Sequence, residues 1–173
     1  AGNGEPTIHP DFANIINDTV EARNNYAPKA AISILSNASM LHKASVVEAL
    51  KKVDKNILKL DAGIESTFQT INQASGKLTL DKIIKNIKLF DGNVIIQTLF
   101  VRGEYNGKII DNTTDAEIDA WLKVLVDINP EYVMIYPIER GTAAEGLEKI
   151  SEDELKAISD KVEALGINTK VYF

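Results

Sequence analysis

Lys59 and Asp61 stand two residues apart in the apolar run NILKLDAG, residues 56–63. In a strand that spacing puts both side chains on one face. A cation and a carboxylate so placed suit a phosphate- or sugar-converting site, and they equally suit a structural ion pair at a strand end. Gln97 interrupts a second apolar run, NVIIQTLFV, residues 93–101. Strands of a parallel sheet are normally near-continuous apolar runs, so these three polar residues need a polar environment such as a ligand crevice or a barrel lumen. Other polar residues gather where apolar runs stop: Ser33, Ser36 and Asn37, then Arg102 and Glu104, then Tyr136, Glu139 and Arg140. In parallel α/β folds that is the end of the strand where ligands bind.

Alternating periods supply the elements that position these residues. Residues 10–26 read as a helix with Phe12, Ile15, Ile16 and Val20 on one face and Pro10 in its first turn. AAISILSN (30–37) reads as a strand, 45–54 as a helix, 56–63 as a strand, and 64–71 and 80–90 as helices. Residues 93–101 are rich in β-branched residues and form the most strand-like stretch. Residues 102–113, with the turn pair Asn106-Gly107, are read as a long loop. A helix over 114–128, a strand over 131–138, a loop, a helix capped by the box Ser151–Glu154 and ended at Gly166, and a final strand over 168–173 complete the chain. Helix–strand alternation at this spacing predicts one α/β domain over 1–173 with about five parallel strands.

Composition narrows the function classes. The net charge of −6 disfavours nucleic acid and anionic membrane as partners. No apolar run is long enough to cross a membrane, and the cysteine-free composition fits a cytoplasmic protein. With no cysteine and two histidines, no thiolate site can form from these residues. His9 is read as a loop-capping residue, His42 as solvent-facing and Trp121 as core. No phosphate-binding loop, nucleophile elbow or HExxH motif occurs, and the opening GNGEP lacks the third glycine of a dinucleotide fingerprint.

The opening GNGEPTIHPDF resembles the Gly-Gly-Glu-Pro-type motif of radical S-adenosylmethionine enzymes. SILSNAS, ILKLDAG, IIQTLFVRG, YVMIYPIERGTAAEGLEKIS and VEALGI resemble, in order and spacing, members of that superfamily described as iron–sulfur oxidoreductases. The resemblance covers essentially the whole chain. It implies a partial (βα) TIM-like barrel of parallel strands, incomplete at the N-terminus, and a C-terminal part of a longer enzyme that cleaves S-adenosylmethionine reductively at a [4Fe-4S] cluster.

The same resemblance implies site residues. Gly2, Asn3, Gly4 and Glu5 would meet the amino group of the cofactor's methionine part, and Ser36 and Asn37 would lie near its carboxylate. Lys59 and Asp61 would face the ribose, Gln97 the ribose or adenine, and Tyr136 the adenine edge. The motif does not specify Arg102 and Arg140, which could face substrate or be solvated loop arginines. The departure is the missing CxxxCxxC: without cysteine the cluster is not expected in this chain, which should be inactive alone. The alternative is a cluster-less S-adenosylmethionine-binding or regulatory module. With its first strands missing, the run AAISIL would be an unblunted sheet edge, which predicts a homodimer.

Overall fold

A computed structural model describes residues 4–73, 77–139, 144 and 146–173. A short 3₁₀ helix, Pro6–Ile8, precedes helix α1, Phe12–Tyr26. There follow β1 (Ser33–Ser36), α2 (Ala44–Leu50), β2 (Lys55–Lys59), α3 (Glu65–Asn72) and α4 (Leu80–Ile87). Next come β3 (Ile95–Leu99), β4 (Val101–Tyr105), β5 (Lys108–Asp111), α5 (Asp115–Ile128) and β6 (Tyr132–Tyr136). The chain closes with β7 (Leu147–Lys149), α6 (Glu152–Glu163) and β8 (Thr169–Val171). Pro10 lies just before the α1 N-cap, Asp11, rather than in the first turn, and Pro6 instead opens the 3₁₀ helix.

Five strands form one parallel sheet in the order β1-β2-β3-β6-β8, the order in which the chain makes them. The two faces differ because side chains alternate. On one face Leu58 is paired with Ile96, Ile96 with Val133, and Thr98 with Ile135. All of these are buried, and the apolar ones join a core to which all six helices contribute, including Phe12, Leu50, Phe68, Ile83, Trp121 and Leu155. On the other face the row Lys59–Gln97–Met134–Lys170 runs across four strands. It is open enough to leave the polar side chains in contact with solvent or a ligand.

The expected long loop over 102–113 is instead a hairpin. Asn106 and Gly107 both take positive φ, 52° and 72°, as a tight two-residue hairpin turn requires. The hairpin pairs with β7 as a second, antiparallel sheet, ordered β5-β4-β7. The polar character of 102–113 hides these strands, because this small sheet has no continuous apolar run. The first strand is also shorter than expected, four residues at an edge of the sheet. Ile32 is buried and Ile34 packs on the core, so Leu35 is the large apolar side chain that this edge exposes.

Candidate functional site

The C-terminal end of β2 is fixed from three sides. Gly63 meets α5 so closely that a Cβ there would lie 2.1 Å from the Trp121 backbone nitrogen. The buried Glu117 carboxylate accepts from the Gly63 and Ile64 amides at 2.6 and 3.1 Å. Trp121 is core, as expected, with its ring edge-on to Phe100 at 5.2 Å. Asn112, at the foot of the hairpin, donates from Nδ2 to the Asp61 and Leu99 carbonyls at 2.8 and 2.7 Å. Its Oδ1 accepts from the Val101 amide at 2.8 Å. One buried side chain thus ties the ends of β2 and β3 to the start of β4. Thr98 adds a hydroxyl bond to the Leu60 carbonyl at 2.8 Å.

Asp61 is held within this frame. Its Oδ1 accepts from the Leu99 amide at 2.9 Å, and its Oδ2 faces the Lys59 ammonium at 2.8 Å. The spacing seen in the sequence therefore does make an ion pair. The carboxylate is fully buried and the ammonium side chain keeps 31% of its exposure, so the charge presented outward is cationic. Burial pushes the Asp61 carboxyl above its ordinary value, against the opposing pull of Lys59. Burial also raises the Tyr136 phenol far above its ordinary value, with the Asp61 charge adding to the shift. Tyr136 is thus a neutral hydroxyl donor at any physiological pH.

Glu5 binds the N-terminal segment to the end of β1. Its Oε1 accepts from the Thr7 amide at 3.1 Å, from the Thr7 hydroxyl and from the Ser36 hydroxyl at 2.8 Å. Its Oε2 accepts from the Asn37 amide at 2.6 Å. The Ser36 oxygen in turn accepts from the Ala38 amide at 3.1 Å. A single carboxylate so closes a loop of 31 residues and seats residues 4–10 beside the strand ends.

These elements enclose a cavity of about 950 Å³, lined among others by Gly4, Glu5, Ser36, Asn37, Lys59, Gln97 and Tyr136. The structure thus brings seven of the sequence-derived candidates to one wall. Asp61 is not on that wall; it stands behind Lys59. Gly2, Asn3 and Arg140 lie outside the described residues. Gln97 and Tyr136 make no side-chain hydrogen bond to another described residue, so their donors and acceptors are available. Arg102, whose role the sequence left open, is engaged within the protein. It sits on β4, where Glu154 grips it with two bonds at 2.7 and 3.1 Å and Glu148 with one at 3.3 Å. The Arg102 fork, with the Ser151 hydroxyl, holds the Glu154 carboxyl at about 2. His9 caps the Asp11 amide through Nδ1 at 3.2 Å, and exposed His42 lies 3.1 Å from the Ser39 carbonyl. Among the described residues no group of three or more carboxylates or histidines could hold a metal ion.

Sequence reading missed Asn112 and Glu117. Both fall in DNTTDAE, a polar run that reads as the approach to a helix. Its Thr114 does cap α5, accepting from the Glu117 amide. Nothing in the run marks Asn112 as buried, because that depends on the hairpin.

No protein-family profile matches the chain. Among curated proteins it is 24% identical over 168 residues to a GTPase Obg of Brachyspira hyodysenteriae, covering 95% of this chain and 23% of that protein. It is 26% identical over 170 residues to a UPF0026 protein of Helicobacter pylori strain J99, covering 96% of this chain and 51% of that protein. The chain therefore spans about a quarter to a half of these relatives. Among solved structures it matches a domain of pyruvate-formate lyase-activating enzyme from Bacteroides vulgatus with TM-score 0.71 and 17% identity, over 99% of this chain and 96% of that one. Streptococcus suis SuiB bound to S-adenosylmethionine matches with TM-score 0.69 and 18% identity, over 99% and 38% of the two chains. A radical SAM methyltransferase from Sphaerobacter thermophilus matches with TM-score 0.58 and 14% identity, over 91% and 56%. At these identities the likeness establishes a shared α/β fold built on a parallel sheet.

Proposed function

We propose that these residues form the S-adenosylmethionine-facing wall of a radical S-adenosylmethionine enzyme, on a partial barrel whose sequential parallel strands curve around the cofactor. The observation that carries this reading is the cavity at the C-terminal strand ends, where Glu5, Ser36, Asn37, Lys59, Gln97 and Tyr136 meet. The donor set fits the cofactor. Glu5 Oε2 accepts one bond within the protein and has capacity for another, which suits an ammonium that offers only donors. Gln97 and the neutral Tyr136 hydroxyl supply donors and acceptors for ribose hydroxyls and an adenine edge. The volume lies in the range of small-molecule sites. The sulfonium of the bound cofactor would supply the carbon–sulfur bond whose cleavage starts radical chemistry.

An iron–sulfur cluster does not fit these residues by the usual ligands, because the sequence has no cysteine. Its thiolates would come from outside the 173 residues, and cofactor binding here rests on hydrogen bonds, the Glu5 contact to the ammonium among them, and on stacking. Each such bond contributes about 0.5–1.5 kcal/mol, so affinity should be weak. Calorimetric titration of the full chain with S-adenosylmethionine tests this. The expected result is saturable binding well above micromolar, weakened roughly three- to tenfold by Gln97→Ala with an unchanged circular dichroism spectrum. No saturable binding at millimolar cofactor, or binding indifferent to Gln97→Ala, would overturn the reading.

A further inference from the structure

The two faces of the parallel sheet differ in charge as well as in cover. The strands of the open face carry Lys55, Lys59 and Lys170 on that side and no aspartate or glutamate. The whole chain has 25 acidic side chains against 19 lysines and arginines, so this face runs against the composition. Two of its ammonium groups are held in place. Lys59 is held from behind by the buried Asp61, at 2.8 Å. Lys170, on the edge strand β8, lies over the Tyr132 ring with its ammonium 4.2 Å from the centroid. A ring face attracts a cation without cancelling its charge. Among the described residues no carboxylate pairs with Lys170, so its charge is positioned but uncompensated.

Lys170 also adjoins the cavity. It is in register with Met134, which is itself in register with Gln97 on the cavity wall. The Tyr172 amide donates to the Ile135 carbonyl at 2.9 Å. That bond carries the pairing one residue past β8 and sets Tyr172 beside Tyr136, a second residue of the wall. Side chains alternate along each strand, so Lys170, Tyr172, Met134 and Tyr136 share the open face. Tyr172 is exposed, and Met134 and Tyr136 are half-buried. The ammonium is therefore bordered by aromatic rings and a thioether, apolar area that suits a flat body.

We propose that Lys170 is the anion subsite for the substrate of this cavity, and that the substrate is a small planar acid carrying a carboxylate or a phosphate. The proposal rests on the reading of the cavity as a cofactor wall. The planar body lies on Met134 and Tyr172, next to the Tyr136 end of that wall, and the anion meets the Lys170 ammonium through charge-assisted bonds, the stronger kind. A cationic substrate is repelled by Lys59 and Lys170 together, and a neutral one gains nothing from Lys170.

The chain has two methionines, so methyl-labelled methionine gives one NMR reporter at the subsite, Met134, and one on the helix-side core, Met40. Benzoate and benzamide are matched probes, since both are planar and only benzoate is charged. Titrated into the full chain, benzoate should shift the Met134 methyl saturably, leave Met40 unmoved, and bind roughly two- to fivefold tighter than benzamide. Phenyl phosphate should bind at the same methyl, and whichever anion binds tighter names the substrate's group. Lys170→Gln should erase the preference for the anion, and Lys170→Arg should keep it. Calorimetry of S-adenosylmethionine on Gln97→Ala tests the cofactor reading without Lys170, so the two readings fail separately. Absence of a saturable Met134 shift, equal affinity for benzoate and benzamide, or a preference that survives Lys170→Gln would overturn the proposal and leave Lys170 as a solvated residue of an edge strand.

Discussion

Two asparagines are buried at opposite ends of the parallel sheet, and their fates differ. Asn112 is 1% exposed and makes three hydrogen bonds, one from each neighbouring strand end. Asn56 is 6% exposed, and its side chain makes none with another described residue. Residue type and burial are nearly the same, so neither explains the contrast. The backbone around them does. Asn112 sits where β2 and β3 have just ended and β4 has just begun, and there the amides and carbonyls are no longer taken by the ladder. Asn56 sits within β2, between β1 and β3, where the ladder has already claimed the backbone groups. An asparagine beyond the strands is a brace; one between paired strands finds no free backbone group beside it.

The largest expected effect comes from removing the brace. Asn112→Ala leaves the Val101 amide and the Asp61 and Leu99 carbonyls without their partner, at about 1–3 kcal/mol for the first such group and less for carbonyls that retain a second bond. A total loss of about 3 kcal/mol should appear as a lower urea midpoint with an unchanged slope. A loss below 1 kcal/mol would mean that the brace is replaceable by water. The mirror experiment is smaller and opposite in sign. Asn56→Leu removes an unmatched carboxamide for an apolar side chain of similar volume and should raise stability by about 1 kcal/mol in the absence of any ligand. A destabilised variant would show that Asn56 is matched in the free protein, and the contrast would fail.

The smallest effect at any one pH is a slope. The Asp61 carboxyl lies above its ordinary 3.8 because it is buried, so the folded chain holds this proton more tightly than the unfolded one. The stability that proton contributes is fully present below the unfolded value. It is lost as pH rises through the folded value. Asp61→Asn, which cannot ionise, should therefore gain on the natural chain as pH rises from about 4 toward neutrality. Urea midpoints of the two proteins at several pH values measure this. Parallel curves would show that Lys59 fully offsets the burial of the charge.

Much of this architecture is legible in the sequence, for reasons that particular residues show. The parallel strands are short apolar runs whose partners are similar runs, and the Lys59–Asp61 pair follows from a spacing of two. Ser151 and Glu154 cap α6 with both reciprocal bonds, a device that four consecutive residues of sequence define. The second sheet is not legible in that way. Asn106-Gly107 announces a turn, but Val101 pairs with Lys149, and nothing local to either residue says so. The same holds for Asn112 and Glu117, whose roles arise when distant backbone ends are brought to them. Glu5 is intermediate: its type suggests an acceptor, while its bond to the Ser36 hydroxyl depends on where β1 ends.

The order of the strands bears on how such a chain emerges from a ribosome. Because β1, β2, β3, β6 and β8 lie side by side in the order they are made, each new strand finds its partner already synthesised, at most roughly forty residues earlier. The sheet can grow at one side as translation proceeds, with no earlier pairing to undo. Among the described strands β7 makes the longest reach, back to β4 past β5, α5 and β6, so the small antiparallel sheet is completed only after β6 is made and just before β8 joins the parallel sheet.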